Sequence, residues 1–282
     1  MKYVLYPGCA GEATAKEALA ATRRVLDALD IDVSENDAFS CCGAGIVEEE
    51  DPELEYTLNA RNFALAEKEG RDILLICNTC LLTMLKSQRR LAEDPSLLQQ
   101  VNEDLARIGL EYTGKVRITH LLWMLRDEIG IERLDALMTA PIQNAAIAPF
   151  YGCHILRPSN IIRDDRAPDF MDRLIEVCGA RVADYGDKYN CCGFHILLND
   201  QETSLKMGSR CLLNAKSCGA DMLVTPCTLC HISLDGYQQQ ATKGKGIEIP
   251  VLHLAQMIGL AMGIDGKKLG LNKNLVSVEK YY

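Results

Sequence analysis

The stretch SCCGAG at residues 40–45 returns as NCCGFH at residues 190–195, and each copy places two cysteines side by side. Adjacent cysteines rarely bond to each other, because a relaxed disulfide holds its Cα atoms about 4.4–6.8 Å apart. Consecutive Cα atoms lie only about 3.8 Å apart across a trans peptide. Each pair is therefore expected to bind something other than itself.

Further cysteines surround both pairs at matching distances along the chain. In the first set 31 residues separate Cys9 from the pair and 34 separate the pair from CNTC at 77–80, and in the second set the counts are 37 and 34. The simplest interpretation is an internal duplication, with one half at 1–143 and the other at 144–282. The two sets are Cys9, Cys41, Cys42, Cys77 and Cys80, and Cys153, Cys191, Cys192, Cys227 and Cys230.

Short apolar runs alternate with helical patterns in both halves, which predicts an α/β fold. We expect two pseudo-symmetric halves, each a small parallel sheet flanked by helices. A mostly helical connection is expected at about 81–140 and a last helix at 251–263. Strands are predicted at 2–6, 72–77, 144–151 and 221–225, and further helices at 13–30, 52–70, near 168–178 and at 200–218.

Composition excludes several classes of function. The net charge of −9 and a pI near 5.1, without a cluster of Lys and Arg, argue against a nucleic-acid partner. No apolar run approaches the roughly 18 residues of a membrane span, and Pro7 and Gly8 interrupt the first apolar run before a signal-peptide core can form. We predict a cytoplasmic protein whose cysteines are metal ligands, catalytic groups or core residues.

The cysteines of each set are expected to meet at one edge of a sheet, because ligands in open α/β folds collect beyond the carboxyl ends of the strands. Soft thiolates favour zinc or iron-sulfur clusters. Zinc takes four ligands, and ordinary iron-sulfur clusters also take four cysteines. A fifth cysteine in each set is either a bridging ligand or a spare nucleophile, and the sequence pattern alone leaves both open.

The blocks C-x31-CCG-x33-CxxC and C-x37-CCG-x33-CxxC resemble the duplicated cysteine-rich CCG domain, and the chain as a whole resembles the family of the heterodisulfide reductase B subunit. The segments GCHILRP at 152–158 and VLHLAQMIGLAMGI at 251–264 add to the resemblance. The resemblance implies one noncubane 4Fe-4S cluster at the strand ends of each half, with all five cysteines as ligands and one of them bridging.

The same resemblance implies an oxidoreductase acting on sulfur groups. A disulfide, such as the coenzyme M-coenzyme B heterodisulfide, would be cleaved or formed between the two clusters in one-electron steps. The chain contains no GxGxxG nucleotide loop. The implied partners are an iron-sulfur electron-transfer subunit of the C type and a flavin-containing subunit of the A type.

Three histidines break the symmetry between the halves. His154 stands where the first half has Ala10, His195 answers Gly45, and His231 answers Leu81. We predict that His154 and His195 deliver protons at the second site, whereas His231 is expected to point elsewhere on its helix. Arg157 is a candidate for holding an anionic group of the substrate, with a surface ion pair as the alternative.

Two other functions stay open at this point. One is a sulfur-handling or electron-relay subunit of a related complex, acting in sulfur oxidation or with lactate, glycerol-3-phosphate or succinate. The segment FHILLND at 194–200 supports this alternative, because the corresponding segment of the methanogen enzymes consists of small residues and is rich in glycine. The other is a non-enzymatic platform with two zinc sites. Three cysteines are predicted not to be ligands: Cys178, Cys211 and Cys218.

Overall fold

Two parallel four-stranded sheets, one in each half, form the framework of the protein in a computed structural model that describes residues 2–162 and 169–279. The strand order is β2-β1-β3-β4 in the first sheet and β6-β5-β7-β8 in the second. The predicted α/β fold is therefore confirmed. The strands are β1 (Lys2–Tyr6), β2 (Asp32–Glu35), β3 (Asp72–Leu75), β4 (Ile118–His120), β5 (Ala146–Pro149), β6 (Arg181–Val182), β7 (Met222–Thr225) and β8 (Val251–His253).

Helices cover the sheets and carry the chain between parallel strands. The helices of the first half are α1 (Gly8–Ala13), α2 (Lys16–Ala28), α3 (Ile46–Glu50), α4 (Pro52–Glu69), α5 (Asn78–Glu93), α6 (Pro95–Ala106), α7 (Leu121–Met124) and α8 (Ile131–Asp135). Those of the second half are α9 (Phe170–Val177), α10 (Gln201–Ser217), α11 (Thr228–His231), α12 (Gln238–Ala241) and α13 (Leu254–Ala261). Short π-helical turns follow α7 and α11, at Leu125–Ile129 and Ile232–Gly236.

The predicted helices form where the sequence carries both an apolar face and end signals. Helix α4 begins at Pro52, with the Asp51 carboxylate accepting the N–H of Leu54, and ends at Gly70 in the left-handed conformation. The helix predicted near 168–178 is α9, and Pro168 lies outside the described residues. The helix predicted at 13–30 contains α2, and the residues at helical spacing on its apolar face are buried throughout: Ala18, Leu19, Thr22, Val25, Leu26 and Leu29.

Four short strands were not predicted from the sequence. Strands β2 and β6 lie at sheet edges and contain polar residues, so neither forms an apolar run. Strands β4 and β8 have three residues each and pass directly into α7 and α13, so that strand and helix together resemble one apolar helix. The connection at 81–140 therefore completes the first sheet, and the segment 251–263 begins as a strand.

The two halves share one hydrophobic core. Helix α13 of the second half packs along α2 of the first. Helix α11 also reaches the first half, where His231 Nε2 lies 3.1 Å from Glu17 Oε1 of α2, with both side chains largely buried. The predicted division at residues 143 and 144 stays a prediction. Within residues 2–162 and 169–279, no helix has the length and apolar character needed to cross a membrane.

Candidate functional site

The ten cysteines of the two sets follow equivalent strands. Cys9 lies in α1 after β1, and the pair Cys41–Cys42 follows β2. Cys77 comes two residues after β3, and Cys80 lies in the first turn of α5. The cysteines of the second set follow β5, β6 and β7 in the same order. Since the carboxyl ends of parallel strands share one edge of a sheet, the fold gathers five thiols at that edge in each half.

Sulfur atoms approach one another within and between the sets. In the first set Cys9 Sγ lies 3.8 Å from Cys41 Sγ, and Cys42 Sγ lies 3.5 Å from Cys80 Sγ. All thirteen cysteines are free thiols. Across the described chain, 2–162 and 169–279, no three His, Cys, Asp or Glu side chains are gathered as ligands of a single metal ion. The thiols of the first set instead form a run of neighbours, in the order Cys9, Cys41, Cys42, Cys80 and Cys77.

The two sets meet at one contact. Cys77 Sγ of the first half lies 3.8 Å from Cys227 Sγ of the second, and both side chains are buried. These residues are equivalent, because each is the first cysteine of its CxxC motif and lies two residues after a central strand, β3 or β7. The candidate sites are thus neighbours at the boundary of the halves.

Electrostatics within each set favour bound cations. The pKa of Cys41 is lowered to about 2 by hydrogen bonds from the thiols of Cys42 and Cys9. Its partner has a pKa raised to about 12, because the Cys42 thiol donates to Cys41. Cys191 and Cys192 repeat this pattern, with pKa values of about 2 and about 12. Ionising all five thiols of a set therefore requires metal cations among them, and soft thiolate donors fit iron-sulfur clusters.

The glycine of each CCG motif shapes the loop that holds the cysteine pair. Gly43 and Gly193 have φ values of +81° and +83°, which only glycine adopts without strain. Their N–H groups donate to Cys41 Sγ at 3.5 Å and Cys191 Sγ at 3.4 Å. A Cβ on Gly193 would come within 2.8 Å of the backbone oxygen of Ser204, whereas a Cβ on Gly43 would meet only side chains, at 3.2 Å and beyond.

The two histidines predicted to be catalytic lie together. The rings of His154 and His195 have centroids 4.8 Å apart. Thr79 Oγ1, from the first half, lies 3.0 Å from His154 Nδ1 and 3.0 Å from His195 Nε2. Burial lowers the pKa of His154, and the neighbouring His195 lowers it further. His195 itself is exposed. The second site thus has a polar wall to which both halves contribute.

The other two singled-out residues have different surroundings. Arg157 is exposed and lies one turn after Cys153, and its Nη2 donates to the carbonyl of Tyr189 at 3.0 Å, just before the second CC pair. His231 is buried against Glu17 in the contact between the halves. Burial acts to raise the pKa of Glu17, but the hydrogen bond and the charge of His231 outweigh it and lower that pKa.

The cysteines outside the two sets have separate positions. Cys178 ends α9 and is buried, Cys218 ends α10 and is exposed, and Cys211 is buried in α10. The Cys211 thiol contacts the carbonyl of Cys191, at 3.9 Å, rather than its sulfur. Burial raises the pKa of both Cys178 and Cys211 to about 12, which keeps these thiols protonated.

Two equivalent histidines behind the cysteines were missed in the sequence. His120 and His253 end β4 and β8, are fully buried, and accept N–H groups of the following helices through Nδ1, at 3.1 Å from Leu122 N and 3.3 Å from Ala255 N. His253 Nε2 donates across the boundary to the carbonyl of Ile76 at 3.3 Å. Aligning TH at 119–120 with LH at 252–253 would have shown the repeat.

Burial keeps both of these histidines neutral. It lowers the pKa of His120 to about 3 and that of His253 to about 4. Among the described residues, His120 Nε2 has no partner in hydrogen-bonding geometry. The carbonyl of Pro226 is nevertheless close enough to oppose part of the decrease in the pKa of His120. Ile76 and Pro226 immediately precede Cys77 and Cys227. The buried histidines therefore support the backbone at the contact between the two sets.

Comparisons with known proteins agree with the duplicated architecture. The model of the "Cysteine-rich domain" (CCG) family matches residues 3–85 and again residues 147–235. The chain is similar over 98% of its length to a solved structure described as a hypothetical protein from Helicobacter pylori, with a TM-score of 0.76 and 18% identity. It spans about half (52%) of that longer chain, and the likeness shows the fold.

Two curated relatives match over most of their length. The "8-methylmenaquinol:fumarate reductase membrane anchor subunit" of Wolinella succinogenes is 36% identical over 99% of this chain and 98% of that protein. The B subunit of the "Ferredoxin/F(420)H(2)-dependent CoB-CoM heterodisulfide reductase" of Methanosarcina acetivorans is 34% identical over 91% of this chain and 87% of that protein. The chain therefore belongs to the duplicated cysteine-rich CCG-domain family that includes the B subunit of heterodisulfide reductase.

Proposed function

We propose that this protein is the catalytic iron-sulfur subunit of a heterodisulfide reductase-type complex, which cleaves or forms a disulfide. The observation that carries the proposal is the contact between two equivalent sets of five cysteines, joined where Cys77 Sγ lies 3.8 Å from Cys227 Sγ. Cleavage of a disulfide reduces two sulfur atoms, and its formation oxidises two thiols. Two neighbouring sites provide one site for each sulfur atom.

Each set of five cysteines is proposed to hold one noncubane 4Fe-4S cluster. The donor set fits, because it consists of thiols whose complete ionisation requires several cations. Bound clusters would supply or accept electrons one at a time. The loops of Gly43 and Gly193 would hold the cysteine pairs in place, with N–H groups directed at Cys41 and Cys191.

Disulfide cleavage consumes protons as well as electrons: RSSR′ + 2 e⁻ + 2 H⁺ gives RSH + R′SH. We propose that His154 and His195 hold and move protons for the thiolate released at the second site. Support comes from their position next to Cys153 and three residues after Cys192, and from the hydroxyl of Thr79 beside both rings. The equivalent positions of the first half, Ala10 and Gly45, have no group that transfers protons.

Arg157 is proposed to bind an anionic group of the substrate. It is exposed in the turn that follows Cys153, and one of its N–H groups donates to the carbonyl of Tyr189. This bond directs the guanidinium toward the loop of the second cysteine pair. A guanidinium has five donors and pairs well with carboxylate, sulfonate or phosphate oxygens.

The reaction requires electron-carrying partners. The homologous heterodisulfide reductase subunits belong to multisubunit oxidoreductases, and this chain offers no nucleotide-binding glycine loop of its own. We propose that an iron-sulfur subunit of the C type is the direct donor and that it receives its electrons from a flavin-containing subunit of the A type. A cytoplasmic location stays a prediction.

A second candidate function is supported by the Wolinella relative, which is 36% identical and carries the name of a fumarate reductase subunit. In that case the protein would be a sulfur-handling or electron-relay subunit of a related complex. The segment 194–200, with Phe194 and His195 in edge contact, would narrow or reshape the approach to the second set and would suit a substrate other than the coenzyme M-coenzyme B heterodisulfide.

The test is anaerobic purification, followed by iron and acid-labile sulfide analysis and EPR spectroscopy after oxidation, with and without added thiol. About eight irons per chain and a signal that changes with thiol would support two substrate-binding clusters. Disulfide cleavage with an artificial electron donor would then separate the two functions, because an electron relay catalyses none. Zinc in place of iron would reject both.

A further inference from the structure

Thr79 connects the first half of the chain to the site of the second. It is the second residue of α5, between Cys77 and Cys80, so its backbone belongs to the first CxxC motif. Its side chain is 5% exposed and points across the boundary of the halves, where Oγ1 lies 3.0 Å from His154 Nδ1 and 3.0 Å from His195 Nε2. Among residues 2–143, Thr79 alone forms a hydrogen bond with both rings.

A threonine hydroxyl carries one proton and two lone pairs. It can therefore donate to at most one of the two imidazoles, so at least one ring must donate an N–H to it. If both rings donate, the hydroxyl proton turns elsewhere. The tautomers of His154 and His195 are thus linked through Thr79, and each ring has its remaining nitrogen directed away from this hydroxyl. The two rings are tilted by 53° relative to each other.

The equivalent position in the other half contains no such network. Leu229 occupies the place of Thr79 in the second CxxC motif, while Ala10 and Gly45 occupy the places of the histidines. Helix α1 packs against α11 there, so the corresponding contact between the halves exists. Its side chains provide no hydrogen-bonding group at those three positions.

We infer that Thr79 is a positioning residue, which orients the imidazoles of His154 and His195 beside the second cysteine set. The first half would thereby complete the site of the second half, and the second half would give nothing equivalent in return. The catalytic consequence rests on the proposed function, whereas the positioning of the rings does not.

The test uses the iron-sulfur-loaded protein, purified without oxygen, in wild-type, Thr79→Val and Thr79→Ser forms. Valine matches threonine in shape but lacks the hydroxyl, and serine retains it. Diethyl pyrocarbonate modifies unprotonated imidazole nitrogens, and peptide mass spectrometry gives the rate at each of the five histidines. Loss of a hydrogen bond to each ring should raise the rates at His154 and His195 about threefold to tenfold in Thr79→Val.

In Thr79→Ser, the modification rates of His154 and His195 should stay within about twofold of the wild-type rates. The buried His120 and His253 should stay protected from modification in every form. Leu229→Val is the matched control, because it introduces the same side chain at the equivalent position without removing a hydroxyl. Unchanged rates in Thr79→Val, or equal acceleration in Thr79→Ser, would overturn the inference. If valine prevents iron loading, Thr79→Ala takes its place in the same comparison.

Turnover of a small disulfide with an artificial electron donor provides the second measurement. Thr79→Val should lower kcat with little change in KM, and Thr79→Ser should restore kcat. If the wild type cleaves no disulfide, the proposed function fails, yet the modification rates still decide whether Thr79 positions the rings. If the wild type is active and Thr79→Val is equally active with wild-type modification rates, the inference alone fails.

Discussion

The two halves have the same sheet order and the same five cysteines, and they differ in what surrounds those cysteines. In the first half, Cys9 and Cys41 are exposed, and Ala10 and Gly45 lie beside them. In the second half, Cys153 and Cys191 are half-buried, and His154 and His195 take the equivalent places. The duplicated parts offer the same set of thiol donors, and in the proposed function the parts that diverged decide what each site does with its bound group.

The largest effects are expected from the cysteines, which test whether the two sets are independent. Replacing Cys42 or Cys192 with Ala should remove about half of the iron, because each thiol contacts only its own set. Replacing Cys77 should remove more than half, because its sulfur also contacts Cys227 at 3.8 Å. Iron and sulfide analysis of anaerobically purified protein measures both. If Cys77→Ala retains half of the wild-type iron, the two cysteine sets bind iron independently of each other.

Replacing the proposed proton donor should slow turnover without emptying the site. We expect His154→Gln to lower kcat about 10²-fold to 10⁴-fold, the usual contribution of a positioned acid or base, with the iron content of the wild type. Adding Ala10→His to this variant tests the comparison directly. The double variant should stay slow, because Leu229 offers the new ring no hydroxyl. Recovery of turnover would show that a histidine donates protons equally well beside the first or the second cysteine set.

The two CCG glycines should respond unequally to the same change. Gly43→Ala and Gly193→Ala each force a non-glycine residue into positive φ, at a cost of about 1–2 kcal/mol. Only at Gly193 does the new Cβ also meet backbone, 2.8 Å from Ser204 O, which adds about 1–3 kcal/mol. Urea unfolding of the two variants and the wild type gives the difference. A larger loss in Gly43→Ala would contradict the geometry.

The smallest effect, over the measured range from pH 7 to pH 5.5, is a pH dependence of stability from the buried His253. The pKa of His253 is lowered by burial from its usual 6.5 to about 4, with the charge of His231 contributing and the carbonyls of Ile76 and Pro226 and the carboxylate of Glu17 opposing. Below pH 6.5 the unfolded chain therefore binds more protons than the folded one. The free energy of unfolding should fall as pH drops from 6.5 toward 4, by up to about 1.4 kcal/mol per pH unit.

His253→Asn keeps an acceptor for the N–H of Ala255 and removes the titrating ring. Its urea unfolding energy should fall less than that of the wild type between pH 7 and pH 5.5, and the two proteins should have equal slopes above pH 7. Taking the difference between them cancels the acid sensitivity that both proteins share. Parallel curves over the whole range would show that this ring does not titrate on unfolding.

The sequence was sufficient for those parts of the fold that depend on local patterns. Strands β1, β3, β5 and β7 are central and apolar, and the cysteine spacing revealed the duplication. Strands β2 and β6 were missed because they contain polar residues, and β4 and β8 because they pass directly into a helix. All four lie at sheet edges and pair with distant segments. Short apolar runs before a helix cannot be distinguished from the helix by periodicity.

The same limit applies to the site. His154, His195 and Arg157 stood out because they follow the motif in one half alone. Thr79 was missed, because its contacts with His154 and His195 span 75 and 116 positions of sequence and no local pattern indicates them. The partner of His231, Glu17, is likewise 214 positions away. Contacts across the boundary of the halves require the folded structure.

The covalent joining of the two halves has a consequence for the chemistry of the substrate. In a symmetric homodimer every substitution appears at both equivalent positions, so the two ends of a bound disulfide would face identical surroundings. Here Leu229 and Thr79 occupy equivalent places in a single chain and differ. The two sulfur atoms of a substrate lying between the sites would be chemically distinguished by the protein, even if the substrate itself were symmetric.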